Sequence, residues 1–281
     1  MRSSWIPVVV RLAAMVMDRA SCAAMLIAQI SDMHINERGT AGIGGADAIG
    51  NLEACIAHLN ALTPSPDLVL ATGDLVKDGA PGEYATLREI LEPLRLPLYV
   101  IPGNHDIRET MSEAFADAEY LPANGSLMNY TIEDYPVRLL ALDTVVPRAP
   151  HGLMDTERLA WLEARLAEAP ERPSIVFMHH PPFKIGIKMM DGMRCSGGAA
   201  LGAILAGNPQ VERLLCGHVH RAVHVRFHGT AASASPSTAA QIALDLSGEV
   251  DLKTLWSDEP PAFMLHLWQA GEGLASHVVQ F

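Results

Sequence analysis

Short apolar runs that alternate with helical patterns are the feature that most restricts how this chain can fold. Apolar residues recur at three- and four-residue steps from Ile49 to Leu59, which predicts a helix with one buried face. The same holds from Leu159 to Leu166, and a third helix is predicted across 82–93. Strands that alternate with helices predict an α/β fold with largely parallel pairing. The predicted strands lie at 26–30, 67–71, 97–101, 137–142, 174–178 and 212–216.

The pattern changes after about residue 221, where the chain becomes rich in strands. Apolar and polar residues alternate across 223–228, which predicts a half-buried strand. Residues 262–269 and 274–280 flank a Gly-Glu-Gly turn and predict a hairpin. No linker separates this part from the rest, so we expect it to add a second sheet to the same domain.

Residues 1–24 precede the first predicted strand and carry an apolar run that is broken by Arg11. This run loosely resembles an export signal. Because Met25 opens a convincing strand, we interpret 1–24 as an extension from an upstream start and 25–281 as the working domain. That interpretation predicts a cytoplasmic protein, in keeping with four cysteines whose spacing matches no zinc site or disulfide framework. A cleaved signal and an exported protein are the alternative.

The charge balance argues against one class of partner. The chain has 32 acidic and 20 basic residues and a formal net charge of −12. Since affinity for nucleic acid comes mainly from basic contacts to phosphates, we expect no binding of long nucleic acids. No uninterrupted apolar stretch reaches the length of a membrane span, so we also expect no membrane partner.

Five of the predicted strands end in a block that contains Asp, Asn or His. In an open α/β sheet, ligands bind outside the carboxyl ends of the strands, so we expect these blocks to converge along one edge. Carboxylate, imidazole and amide groups without a thiolate suit zinc, iron or manganese. One such residue alone is more often a turn cap, but five blocks together indicate a metal site. The blocks are Asp32-Met33-His34, Gly73-Asp74, Gly103-Asn104-His105-Asp106, His179-His180 and Gly217-His218-Val219-His220.

These blocks, as Asp-x-His, Gly-Asp, Gly-Asn-His-Asp, His-His-Pro-Pro and Gly-His-x-His in that order, resemble the calcineurin-like metallophosphoesterases. Within that family the chain looks most like the bacterial class III cyclic nucleotide phosphodiesterases and the glycerophosphodiesterases. The resemblance spans residues 26 to about 221. It implies a four-layer α/β/β/α sandwich of two mixed β-sheets flanked by helices, and a homodimer or higher homo-oligomer with contacts from the β-rich tail.

Carried over residue by residue, the resemblance implies two metal ions, each iron, manganese or zinc, with Asp74 bridging them. A hydroxide held by both ions would attack the phosphorus of the substrate. The first ion would be held by Asp32, His34, Asp74 and His220. The second would be held by Asp74, Asn104, His179 and His218. The substrate would contact His34, Asn104, His105 and His220.

His105 holds no metal in this pattern. The resemblance places it beside the phosphate, where it can stabilise the transition state or protonate the leaving oxygen. Asp106 could orient the His105 ring, so both residues are predicted to be catalytic. His180 is expected to point away from the strand end and to act behind the ligands. The other histidines are interpreted as solvated or structural, namely His58, His151, His224, His228, His266 and His277.

The leading functional hypothesis is a metal-dependent phosphodiesterase that hydrolyses a small diester, with 3′,5′-cyclic AMP or another cyclic nucleotide as the first substrate. A glycerophosphodiester is the alternative substrate. A DNA nuclease on the same fold is disfavoured by the acidic charge. A non-catalytic scaffold on the same fold is disfavoured because all seven ligand positions are filled.

Overall fold

The structure is a computed structural model that describes residues 24–122, 126–248 and 254–281. The strands are β1 (Ala24–Ile30), β2 (Leu68–Thr72), β3 (Leu98–Ile101), β4 (Tyr130–Ile132), β5 (Arg138–Leu142), β6 (Ser174–Met178), β7 (Val211–Cys216), β8 (Val223–Phe227), β9 (Thr230–Ala234), β10 (Gln241–Ile242), β11 (Trp256–Ser257), β12 (Ala262–Gln269) and β13 (Gly273–Gln280). The α-helices are α1 (Ala48–Ala61), α2 (Pro81–Leu91), α3 (Arg108–Ala114), α4 (Thr156–Ala167), α5 (Lys188–Gly192) and α6 (Gly198–Ala206).

Two mixed sheets carry eleven of these strands, and β10 and β11 pair in a separate two-stranded antiparallel sheet. The first has the order β13-β12-β1-β2-β3, in which β1, β2 and β3 are parallel and β12 and β13 are antiparallel to their neighbours. The second has the order β4-β5-β6-β7-β9-β8, with parallel pairing from β5 through β9 and antiparallel strands at both edges.

The expectation that the β-rich tail adds a second sheet is therefore wrong for its four longer strands, and only the short pair β10 and β11 is separate. Strands β8 and β9 extend the second sheet, whereas β12 and β13 extend the first. The reason is that β1 and β7 would each leave one row of backbone groups unpaired, and the tail supplies β12 beside β1 and β9 beside β7.

The sheets stack face to face and the helices cover their outer faces, which gives the four-layer sandwich expected from the resemblance. Helices α1, α2 and α3 pack on the first sheet, and α4, α5 and α6 pack on the second. Between the sheets lies a third apolar layer, to which Ile27, Leu70, Phe177 and Leu215 contribute fully buried side chains. Each such side chain stabilises the fold by ~1.5–3 kcal/mol.

Several element bounds differ from the predictions. Strand β1 starts at Ala24, one residue before the predicted domain boundary, and the remainder of the predicted extension lies outside the described residues. The short helix α5 lies where no helix was predicted, and its Met190 is buried against the second sheet. Helix α6 was not predicted because its run of alanines, glycines and aliphatic residues has no polar stripe to mark a period.

Within the three described ranges, no helix is long and apolar enough to cross a membrane. The cytoplasmic location and the homo-oligomer stay predictions.

Candidate metal centre

The ligand blocks meet at the carboxyl ends of strands from both sheets. Asp32 and His34 follow β1, Asp74 follows β2 and Asn104 follows β3, all in the first sheet. His179 follows β6 in the second sheet, and His218 and His220 follow β7. From the sequence we expect all five strand ends along one sheet edge. In the structure they are divided between the edges of two stacked sheets, and both edges face a common site.

The side chains lie within coordination range of one another. His179 Nε2 is 3.3 Å from Asp74 Oδ2, and His34 Nε2 is 3.6 Å from the same oxygen. On the other side, His220 Nε2 is 3.4 Å from Asp32 Oδ1 and 3.1 Å from His34 Nε2. Each of these side chains is at most 5% exposed, so the cluster is shielded from bulk water.

Hydrogen bonds fix the histidine tautomers in the form that a metal requires. The Nδ1–H of His179 donates to the Thr72 carbonyl at 2.8 Å, and that of His220 donates to the Ala240 carbonyl at 2.6 Å. The Nε2 lone pairs of both rings then face carboxylate oxygens, which is repulsive unless a proton or a cation lies between them. The donor set therefore fits divalent cations, with the backbone carbonyls orienting the ligands from behind.

The pKa values of the buried side chains show which of them are charged in the metal-free cluster. Burial opposes protonation of His179, but the neighbouring Asp74 raises its pKa to about 9. Burial also opposes ionisation of Asp74, yet His179 holds the pKa of Asp74 well below its usual value. Burial lowers the pKa of His218 to about 3 and that of His34 well below its usual value. In the metal-free cluster Asp74 is ionised and His179 is protonated beside it, whereas His34 and His218 are neutral. A bound cation would take the place of the proton on His179 Nε2, because a metal ligand must be a neutral imidazole.

The backbone is strained at these ligands. Among the described residues, seven that are not glycine have a positive φ, and five of these seven are predicted ligands. Such conformations cost ~1–3 kcal/mol each and persist where the surrounding fold enforces them, typically at functional sites. The five ligands are Asp32 (φ 53°), His34 (φ 44°), Asp74 (φ 50°), His218 (φ 71°) and His220 (φ 49°).

Two glycines make room for the ligands. A Cβ on Gly73, whose φ is +92°, would lie 2.5 Å from His179 Nδ1. A Cβ on Gly103 would lie 2.2 Å from Asp74 Oδ1. Both contacts are too short for any side chain, so these turns need glycine for close approach.

Asn104 is held by the second histidine of the His-His pair. The Nε2–H of His180 donates to Asn104 Oδ1 at 3.1 Å, and the Thr144 hydroxyl donates to His180 Nδ1 at 2.8 Å. The expectation that His180 points away from the strand end is therefore wrong, because its ring centroid lies 4.7 Å from that of His218. The expectation that His180 acts behind the ligands agrees with its hydrogen bond to Asn104, because this bond orients the Asn104 amide.

His105 lies against the first ligand set. Its ring packs edge-on against His34 with centroids 4.6 Å apart, and its backbone N–H donates to Asp74 Oδ1 at 2.9 Å. Its Nδ1–H donates to the Lys77 carbonyl at 2.6 Å, so the opposite nitrogen, Nε2, is free of that bond. Burial lowers the pKa of His105, but Asp74 and the Lys77 carbonyl outweigh it, so the pKa is raised overall.

Asp106 does not orient the His105 ring as expected, because the Lys77 carbonyl occupies that position. The Asp106 carboxylate is fully engaged elsewhere: it accepts hydrogen bonds from Gly103 N at 2.8 Å, Leu75 N at 3.1 Å and the Tyr84 hydroxyl at 2.8 Å. These bonds join the turn after β2 to the turn after β3. Asp106 therefore holds two ligand-bearing turns together.

Sequence reasoning missed a sixth polar strand end, Asp143-Thr144 after β5. Arg108 binds Asp143 with two hydrogen bonds, of 2.5 and 2.8 Å, and so anchors the start of α3 behind Asn104 and His105. The signal was available, because this apolar run also ends in an Asp. It was overlooked because Asp143 belongs to none of the quoted motifs.

A cavity of about 630 Å³ opens beside Asn104 and His105. Ile107, Pro147 and Arg148 are also among its lining residues. The space suits the organic groups of a small ester, because it combines apolar surface with a few polar groups next to the buried cluster.

Comparisons with known proteins match the chain to one family. The profile of the calcineurin-like phosphoesterase family matches residues 25–222. A probable glycerophosphodiester phosphodiesterase of Arcobacter nitrofigilis is 38% identical over 254 residues, which cover 90% of this chain and 92% of that protein. The 3′,5′-cyclic adenosine monophosphate phosphodiesterase of Escherichia coli strain K12 is 32% identical over 219 residues, which cover 78% of each chain.

A dimetal phosphatase from Danio rerio is a solved structure with the same fold. It matches with a TM-score of 0.65 at 12% sequence identity, over 92% of this chain and 99% of that one. At this identity the likeness concerns the fold alone.

Proposed function

Because the chain belongs to the calcineurin-like phosphoesterase family, we propose that it is a metal-dependent phosphodiesterase that hydrolyses a small phosphodiester. The observation that carries the proposal is the arrangement of the histidines. His179 and His220 are tied to backbone carbonyls through Nδ1, and both direct Nε2 toward buried carboxylates. Relatives at 38% and 32% identity are named as phosphodiesterases, in keeping with this donor set.

Two divalent cations fit the donor set, and Asp74 is the residue that would touch both. Bound there, the cations would supply electrophilic stabilisation of the phosphoryl group and acidify water. The first site would use Asp32, His34, Asp74 and His220. The second would use Asp74, Asn104, His179 and His218. The metals stay assigned as iron, manganese or zinc, since the oxygen and nitrogen donors suit all three.

His105 would serve the leaving group. With Nδ1–H held by the Lys77 carbonyl, Nε2 of the ring is the nitrogen that can give a proton to the departing oxygen. Asn104 and His105 border the cavity, so the group that leaves would occupy the cavity in this arrangement. His34 and His220 would complete the contacts to the phosphoryl oxygens.

The substrate proposal has two branches. The relative named for glycerophosphodiesters aligns over 90% of this chain at 38% identity, against 78% at 32% for the relative named for cyclic AMP. This difference favours a glycerophosphodiester as the first substrate to test. A 3′,5′-cyclic nucleotide, the first choice from sequence, becomes the second.

A substrate panel tests the proposal. The purified chain is stripped of metal, reloaded separately with Mn²⁺, Fe²⁺ or Zn²⁺, and assayed on glycerophosphoethanolamine, cyclic AMP and single-stranded DNA. We expect metal-dependent hydrolysis of at least one small diester and none of DNA. Hydrolysis of DNA alone, or no hydrolysis with any metal, would contradict the proposal.

The matched variants are Asp74→Asn and Asp117→Asn. The first should lose nearly all activity and most bound metal, because both sites would share this carboxylate. The second changes a carboxylate whose side chain is 67% exposed and pairs with Arg88, and it should keep both activity and metal. Normal metal content in Asp74→Asn would show that Asp74 is not the shared ligand.

A further inference from the structure

A buried amide joins the two sheets directly beneath the candidate metal centre. Gln29 on β1 is 0% exposed, and its Nε2 donates to the carbonyl of Cys216 on β7 at 2.9 Å and to the hydroxyl of Thr72 on β2 at 3.0 Å. The first of these bonds crosses from one sheet to the other. The second joins neighbouring strands of the first sheet.

Three further residues, His266, Ser276 and Arg213, connect Gln29 to β7 by hydrogen bonds. The Nε2 of His266 on β12 lies 2.9 Å from Gln29 Oε1, and its Nδ1 lies 2.7 Å from Ser276 Oγ on β13. Arg213 on β7 donates from Nη1 to the same Ser276 oxygen at 2.8 Å. The hydrogen bonds therefore form a closed ring that leaves β7 at Arg213 and returns to it at Cys216, crossing between the sheets twice.

The direction of every hydrogen bond in this ring is determined. A guanidinium can only donate and a backbone carbonyl can only accept. Both Gln29 Nε2 protons are used, so Oε1 must accept, and His266 must carry its proton on Nε2. His266 Nδ1 then accepts the hydroxyl proton of Ser276. All donors point the same way from Arg213 to Cys216, and such a chain of hydrogen bonds is mutually strengthening.

Members of the ring lie close in sequence to proposed metal ligands on both sheets. Gln29 lies three residues before Asp32, Thr72 lies two before Asp74, and Cys216 lies two before His218. Each proposed metal site takes ligands from both sheets, so a lateral shift of one sheet would change both sites. The apolar contacts between the sheets favour burial but have no preferred direction, so they do not fix how one sheet lies along the other. Hydrogen bonds between the sheets form at only one relative position of the two sheets.

We propose that this polar ring sets the lateral register of the two sheets, and that Gln29 is a positioning residue for the pair of metal sites. The inference rests on the proposed metal centre. It assigns a role to Gln29, His266, Ser276 and Arg213, none of which reaches the ligand cluster itself.

The test replaces Gln29 with leucine, which keeps the buried volume and removes all three hydrogen bonds. Mn²⁺ binding is measured by titration calorimetry, and the coupling between two bound Mn²⁺ ions is measured by electron paramagnetic resonance. We expect the wild type to bind two coupled ions. Gln29→Leu should bind the second ion at least ~10-fold more weakly, the size of effect typical for residues that orient ligands. Its coupling signal should also change.

Ile27→Val is the matched control. Ile27 lies two residues earlier on β1, points into the same layer between the sheets and is also 0% exposed. Its loss of one methyl group should lower stability slightly without breaking a hydrogen bond. We expect it to bind both ions as the wild type does.

A double variant separates positioning from plain stability. In Gln29→Leu/His266→Leu both partners become apolar, so much of the lost stability should return, while weak binding of the second ion should persist. If Gln29→Leu does not fold, Ser276→Ala on the half-buried edge strand opens the same ring at its far end and should also weaken the second ion, by a smaller factor.

The outcomes are distinct. Wild-type binding of both ions in Gln29→Leu and Ser276→Ala, or recovery of the second ion in the double variant, would overturn this inference and leave the proposed function standing. A wild type that binds no pair of ions would overturn the proposed function and this inference together.

Discussion

At the scale of single residues, the strained backbone at the ligands is a property that can be measured. His218 has a φ of 71°, and its side chain lies in the ligand cluster. A side chain in this left-handed region costs ~1–2 kcal/mol, which glycine avoids. The fold retains this conformation because it aims the imidazole at the site.

We expect metal-free His218→Gly to be more stable than metal-free His218→Ala by about 1 kcal/mol, measured by urea unfolding. Both variants lose the same imidazole, so the difference reports the backbone. The matched pair is His179→Gly and His179→Ala, since His179 is not among the residues with positive φ. There alanine should be the more stable by ~0.5–1 kcal/mol. Equal stability of the two His218 variants would mean that its conformation carries no strain.

His105→Ala should lower catalysis while it leaves the metals in place. Removal of a positioned proton donor lowers the rate by ~10²–10⁴-fold. The loss should be largest for an alkoxide leaving group, as in a glycerophosphodiester or cyclic AMP, and smaller for nitrophenyl diesters, which depart without a proton. Steady-state kinetics on both substrate types and metal analysis check this.

An equal loss on both substrate types would remove the role of His105 as a proton donor. Loss of one metal equivalent would make it a ligand, and the second site would need a different set.

At the scale of elements, Asp106 connects the turns that carry Asp74 and Asn104. It accepts hydrogen bonds from backbone N–H groups of both turns and from Tyr84 on α2. A carboxylate that binds several buried donors leaves all of them unpaired when it is removed. Its role in activity is therefore expected to act through the placement of these turns.

Asp106→Ala should lower the free energy of unfolding by about 3 kcal/mol or more, because several buried donors lose their acceptor. Tyr84→Phe removes one donor only and should cost about 1 kcal/mol. Urea unfolding of the two variants gives both values. A loss in Asp106→Ala no larger than in Tyr84→Phe would show that Asp106 does not hold the turns together.

At the scale of the whole molecule, stability should fall with acid because of His266, a member of the polar ring that joins the two sheets. Burial is the main cause that lowers the pKa of His266 to about 3, and the nearby Arg213, His224 and His277 act in the same direction. The folded pKa lies below the unfolded value of 6.5, so the unfolded chain takes up the proton first. The stability that the neutral ring contributes is therefore present above pH 6.5 and is lost as the pH falls toward 3.

Between pH 6 and 4, His266 should add a slope of ~1.4 kcal/mol per pH unit to the free energy of unfolding. His266→Gln, which does not titrate, should lack this part of the slope. Urea unfolding of the metal-free proteins at several pH values measures the difference, while the other buried histidines titrate alike in both. Identical slopes would contradict the neutral state of His266.

The sequence alone determined most of the strands and the residues at their ends, but not β4, β9, β10 and β11. An apolar run indicates a buried segment, and a motif such as Gly-Asn-His-Asp directly after such a run indicates a turn at the end of a strand. For this reason the strands β1, β2, β3, β6 and β7 and the hairpin β12–β13 were predicted close to their observed bounds. The family was predicted from the same blocks, and this prediction is confirmed.

The tertiary structure alone decided which strand ends face each other. Local patterns carry no information on pairing between distant segments, such as Gln29 with His266, which are 237 residues apart. The division of the ligand blocks between two sheets, the inward ring of His180 and the Lys77 carbonyl behind His105 all depend on such pairing. A backbone carbonyl has no sequence signature, because every residue has one. Its role is set only when packing brings a particular carbonyl to a particular ring.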